Sequence, residues 1–133
     1  MHRMALQRTV KQRTDKSFTL QLEKKENLCR EVIELCEKLD PAQVRLQIYT
    51  GSALFELHLP LLQYGKRKWE KGDMSTEEFR KTLYEPRDIL QKALDVLSEE
   101  TNENLPEGQL RIQIKETLGQ LEQFMTTLGC EDL

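Results

Sequence analysis

The stretch LRIQIKETLGQLEQFMTTL, residues 110–128, decides the fold. Its apolar residues Leu110, Ile114, Leu118, Leu121, Met125 and Leu128 follow one another by steps of four, four, three, four and three. That is the period of an amphipathic α-helix, close to a heptad, and not the alternation of a half-buried strand. Gly129 supplies a stop, and 130–133 form a short acidic tail.

Upstream, Thr101–Gly108 is polar, with Asn, Pro and Gly, and reads as a loop. Before it, Met74-Ser75-Thr76-Glu77-Glu78-Phe79 opens a third helix. Ser75 with Glu78 makes a capping box, and Met74 with Phe79 the matching hydrophobic staple. This helix carries Phe79, Leu83, Leu90, Ala93, Leu94 and Leu97, is expected to kink at Pro86, and fades over 98–104. Gly72 closes a second helix, Pro41–Lys71, as its C-terminal cap. Leu46, Tyr49, Ala53, Leu57, Leu61, Tyr64 and Lys68 lie at helical spacing there, thickened by Leu54, Leu62 and Trp69. Pro60 predicts a kink, and Gly65 a looser turn or the close approach of another helix. Asp40 reads as the N-cap of that helix, Pro41 as its first residue and Gln43 as its capping-box partner. The first helix runs from Ser17 or Thr19 to Leu39, with Leu28, Val32, Leu35 and Leu39 as its apolar stripe, widened by Cys29, Ile33 and Cys36.

The short connections favour antiparallel neighbours. The expected fold is all-α: four long antiparallel helices over 18–129, behind a basic flexible leader, 1–17. The leader holds Arg3, Arg8, Lys11, Arg13 and Lys16 against Asp15; a mitochondrial presequence is the other reading of such a composition. Pro41 to Ser75 spans the 34 residues of a tetratricopeptide repeat, but one long helix fills the interval where that repeat has two.

Composition narrows the function. The 133 residues carry 20 Lys plus Arg and 23 Asp plus Glu, a net charge of -3, which argues against nucleic-acid binding by bulk charge. Three Cys and two His build neither a disulfide scaffold nor a two-site zinc domain. Cys29 and Cys36 lie about 10 Å apart along a helix, too far for a disulfide, and reduced packing cysteines point to the cytoplasm or nucleus. No apolar run reaches the ~20 residues of a membrane span, and no apolar segment after Met1 marks a secretory signal.

The sequence has no glycine-rich phosphate loop, no H-E-x-x-H and no G-x-S-x-G. A dyad of Cys36 and His58 would span two helices, with nothing to form an oxyanion hole. His58 reads as a helix-face residue satisfied by a carboxylate or by solvent, and Glu56 and His58, on either side of Leu57, point apart and cannot chelate one ion. The pairs Glu77-Glu78 and Glu99-Glu100 suit helix ends. No catalytic, cofactor-binding or metal-ligating residue is expected. Lys66, Arg67, Lys68 and Lys71, with Trp69 among them, are the candidate partner-binding residues. A solvated basic face and a core tryptophan are the plainer alternatives.

One resemblance adds to this. Lys24-Lys25-Glu26-Asn27-Leu28-Cys29-Arg30-Glu31, Leu39-Asp40-Pro41, Arg45-Leu46 and above all Gly51-Ser52-Ala53-Leu54-Phe55-Glu56-Leu57-His58-Leu59-Pro60-Leu61 carry it. So do Trp69-Glu70 before Gly72, Ile89-Leu90 through Val96-Leu97, and the Pro106-Glu107-Gly108 turn. From about Glu23 onward the chain resembles the C-terminal helical, tetratricopeptide-like region of SET and MYND domain proteins, most closely their arthropod branch. The resemblance implies a region that packs beside a SET domain, walls a substrate cleft and offers a concave surface to peptides. The family's lysine methyltransferase chemistry, its S-adenosylmethionine site and its zinc sites belong to segments whose motifs do not occur here. The expectation is a non-catalytic protein-interaction module with a protein or peptide partner, such as a SET domain. The alternative is a free-standing adaptor or a homo-oligomer joined through the Leu110–Leu128 stripe.

Overall fold

In the computed structural model, which describes residues 2–97 and 102–131 and side chains from Lys16 onward, the chain forms five helices. These are α1 (His2–Leu39), α2 (Gln47–Glu70), α3 (Thr76–Thr82), α4 (Tyr84–Val96) and α5 (Pro106–Thr127), with no strand among the described residues. The all-α helical bundle is as expected. The fade over 98–104 and the Glu99-Glu100 pair fall wholly or largely outside the described residues, as does the end of the acidic tail.

Contacts between helices set the directions. Lys25 pairs with Glu56 at 2.9 Å, the Tyr64 hydroxyl donates to the Thr19 carbonyl, and the Arg67 guanidinium lies 4.0 Å from the Phe18 ring centre. So α1 and α2 are antiparallel. Arg30 with Glu85 at 3.2 Å and Lys92 with Glu37 at 3.1 Å set α4 parallel to α1. Arg80 donates to the Leu128 carbonyl at 2.6 Å and Tyr84 to that of Glu131 at 2.8 Å, which brings the C-terminal end of α5 back to the junction of α3 and α4, so α5 runs against α4. The shared core joins Cys29 and Ile33 of α1, Leu54 and Leu57 of α2, Phe79 of α3, Leu90 and Ala93 of α4, and Ile114, Leu118, Leu121 and Met125 of α5. The α5 stripe that decided the fold is therefore consumed within the bundle, with Leu110 and Leu128 half-buried at its ends. It is not a free surface for self-association.

Several expectations are corrected. The first helix starts at His2, so the basic leader continues it as helix. Its buried line is Leu22, Cys29, Ile33 and Cys36, whereas Leu28, Leu35 and Leu39 are 61%, 56% and 67% exposed. Lys25 reaches α2 from one side of the buried line, and Arg30 and Glu37 reach α4 from the other. Turning the leucines inward would break those pairs, and the small cysteines let α2 lie close.

The second helix starts at Gln47, not Pro41. Between the helices the chain wraps around Asp40, whose carboxylate accepts from the backbone N–H groups of Leu46, Arg45 and Val44 at 2.8, 2.9 and 3.2 Å. Asp40 still organises the entry to α2, but across a seven-residue turn, 40–46, with Gln43 at a positive φ of 55°. These amide donors, Leu46 first and then Arg45, hold the Asp40 carboxyl below its ordinary range.

The third expected helix divides at Leu83 into α3 and α4. Pro86 lacks an N–H and its ring conflicts with the carbonyl four residues back. The break places it in the first turn of α4, where a missing donor costs least. Pro60, by contrast, sits inside α2, which continues through it. Ser75 caps α3 as expected, accepting from the Glu78 N–H at 3.1 Å. Pro106 opens α5, so Gly108 belongs to its first turn rather than to the loop; a Cβ there would lie 2.2 Å from the Asn102 carbonyl oxygen.

Urea titration of variants checks this architecture. Leu90→Ala, at a fully buried position, is expected to lower stability by about 2–5 kcal/mol, and Ser75→Ala by about 1 kcal/mol. At a dilution where the chain is monomeric, Leu35→Ala is expected to stay within about 0.5 kcal/mol. A large loss at Leu35 would mean that α1 is turned as the sequence first suggested.

Candidate functional site: an aromatic groove between α2 and α5

The C-terminal half of α2 and the facing part of α5 do not close on each other. α2 is held against α3 and α4, and α5 packs mainly on α4. Two glycines set the first contact. A Cβ on Gly51 would lie 2.9 Å from Leu97 Cδ2, and one on Gly65 would lie 2.6 Å from Thr82 Oγ1. Gly65 thus allows the close approach foreseen for it. Beside this contact, on the flank of α2 that faces α5, an open groove of about 450 Å³ remains.

Its walls are mostly apolar. From α2 come His58, Leu62, Lys66, Trp69 and Glu70; α3 gives Phe79; α5 gives Thr117, Gln120, Leu121 and Phe124. Trp69 stacks on Phe79 with centroids 4.5 Å apart and planes 11° from parallel, and Phe124 meets Phe79 edge-on at 6.2 Å. Trp69 Nε1 donates to Thr76 Oγ1 at 3.1 Å, which fixes the indole plane. Phe79 is fully buried as the floor, whereas Phe124 is 37% exposed at the rim. Such a lining is suited to apolar groups rather than to charge.

His58 is 2% exposed, and its Nδ1–H donates to the Phe55 carbonyl one turn back. The expected carboxylate or solvent partner is therefore replaced by the helix's own backbone. Burial pushes the imidazole below its ordinary value, against the Phe55 hydrogen bond, so it is neutral at pH 7.

The candidate basic residues do not form one patch. Lys66 and Trp69 face the groove with Glu70, while Arg67, Lys68 and Lys71 turn toward α1, beside Thr19, Glu23 and Tyr64. Arg67 is engaged on Phe18. A run of consecutive residues on a helix is dispersed around its axis. His58, Phe79 and Phe124 were absent from the candidates. Phe124 had a signal: with Thr117 and Gln120 or Leu121 it makes a second line beside the buried stripe, an aromatic on an otherwise polar flank. Cys36 and His58 are not brought together. The antiparallel register of Lys25 with Glu56 sets Cys36 beside the start of α2, about 18 Å along the axis from His58.

The buried neutral histidine implies a pH dependence. Its folded value lies below the unfolded value near 6.5, so its contribution is complete above that value and is lost as pH falls. Thermal melts from pH 7.5 down to 5, common laboratory values, are expected to fall in Tm, and His58→Gln to flatten that slope. An equal slope in both proteins would assign the loss elsewhere. Asp40 acts in a separate, more acidic window, below its ordinary value of 3.8.

Among the described residues no group of three or more His, Cys, Asp or Glu is placed to hold a metal ion, and no described helix is long and apolar enough to cross a membrane. No family model, no curated protein and no solved structure matches this chain.

Proposed function

We propose that this chain is a non-catalytic helical protein-interaction module that takes a partner segment in the α2–α5 groove. The observation that carries this is the groove itself, with Trp69 and Phe124 offered at its mouth above a buried Phe79. The partner presents an aliphatic or aromatic side chain with acidic residues beside it. Lys66 stands at the mouth. The resemblance to the C-terminal region of SET and MYND domain proteins supports the same reading, with a SET domain or a peptide as partner and the cytoplasm or nucleus as location. No cofactor enters it.

The test uses the one tryptophan of the chain as reporter. Acidic peptides with one central Leu, Phe or Trp are titrated into the intact chain, and Trp69 fluorescence is followed. Saturable quenching or a blue shift is expected, weaker as salt rises. Phe124→Glu is expected to weaken binding at least tenfold, and Lys66→Glu several-fold, with helicity unchanged. Absence of any saturable change, or equal binding by Phe124→Glu, would remove the groove reading. Calorimetric binding of S-adenosylmethionine by this chain alone would remove the non-catalytic one.

The second reading, a self-associating bundle, is favoured by one observation: the leucines of α1 that the core leaves outside.

A further inference from the structure

The outer side of α1 carries Leu28, Val32, Leu35 and Leu39, spaced four, three and four. Three of these leucines are more than half exposed, and Val32 is half-buried between them and the core. Val44 in the following turn and Tyr49 in the first turn of α2 are 66% and 61% exposed. A line of large aliphatic residues at heptad spacing, left outside a core that is otherwise filled, is the seam of a helix pair.

We propose that α1 pairs antiparallel with α1 of a second copy, about a two-fold axis. In heptad terms Leu28 and Leu35 are d residues and Val32 and Leu39 are a residues. Antiparallel layers then set Leu28 against the partner's Leu39 and Val32 against the partner's Leu35, and the two-fold repeats both. All four positions are used and none faces a charge.

Charge selects this register. Arg30 and Glu37 lie on the far side of α1 from the seam and pair with Glu26, Glu85 and Lys92, and Lys25, one heptad before Val32, pairs with Glu56. Glu31 and Lys38 are exposed and make no ion pair among the described residues. Both occupy g positions, which meet each other in an antiparallel pair. The stated layers bring Glu31 to the partner's Lys38 and Lys38 to the partner's Glu31. A parallel pair would instead oppose g with e, but the e residues Cys29 and Cys36 are buried in their own protomer. Opposite charges left free at matching positions identify the occupant as a second copy of this chain.

This face is distinct from the α2–α5 groove and the inference does not depend on that reading. Equilibrium sedimentation of the intact chain across the micromolar range is expected to show a monomer–dimer equilibrium. Leu35→Glu is expected to be monomeric with unchanged far-ultraviolet circular dichroism, since the position is exposed; Leu28→Lys serves as a second such variant. Glu31→Lys and Lys38→Glu are each expected to raise the dissociation constant several-fold, and the double exchange to return it near the starting value. Phe124→Glu is expected to leave the dimer intact. A monomer at every concentration, or a dimer that survives Leu35→Glu, would overturn the proposal. A double exchange as weak as the single ones would overturn the antiparallel register.

Discussion

Gly51 and Gly65 lie fourteen residues apart on α2, about 21 Å along its axis, and both meet side chains of the α3–α4 pair at distances that leave no room for a Cβ. Leu54 and His58 lie between them and are buried. This close contact fixes α2 to the rest of the bundle, and its other faces take their roles from it. One flank is free to receive the cysteine face of α1. The other is held away from α5, which is committed to α4, and the gap between them becomes the groove. A bulkier residue at Gly65 would push Thr82 and, through α3, Phe79, on which the Trp69 ring rests.

Much of this was legible in the residues. The α5 stripe, the Ser75 cap and the glycine stops at Gly72 and Gly129 act locally, through periods, side-chain-to-backbone bonds and positive φ of 79° and 84°. Pro86 and Pro60 looked alike in sequence but differ in the structure. A break just before Pro86 places it in a first turn; no such break precedes Pro60, which lies within α2. The face of α1 was ambiguous for a different reason. Leu28–Val32–Leu35–Leu39 and Cys29–Ile33–Cys36 are both apolar lines at helical spacing, a fraction of a turn apart. Hydrophobicity alone favours the leucines. Ion pairs from Lys25, Arg30 and Glu37 to other helices favour the cysteines, and such long-range partners have no signature in a local period.

The groove was least legible. Its lining comes from three helices, and each residue has an ordinary explanation in its own helix. His58 is one turn from the carbonyl it bonds, Phe79 completes a staple, and Phe124 adjoins a core methionine. Only the crossing of α2 and α5 assembles them. The basic run shows the converse. Lys66, Arg67 and Lys68 are adjacent in sequence, yet the helix sends Lys66 toward the aromatic wall and Arg67 toward Phe18.

The two cysteines on the buried face of α1 give the molecule an internal clock. Cys29 and Cys36 are reduced and buried, and burial raises the Cys29 thiol above its ordinary value. A thiol reagent reaches them when α1 lifts from the bundle, while Cys130, only partly buried beyond the end of α5, does not depend on that motion. The ratio of slow to fast modification therefore measures how often the first helix detaches, separately from unfolding of the α3–α5 core. Any partner that clamps α1 will slow that clock without touching a sulfur atom.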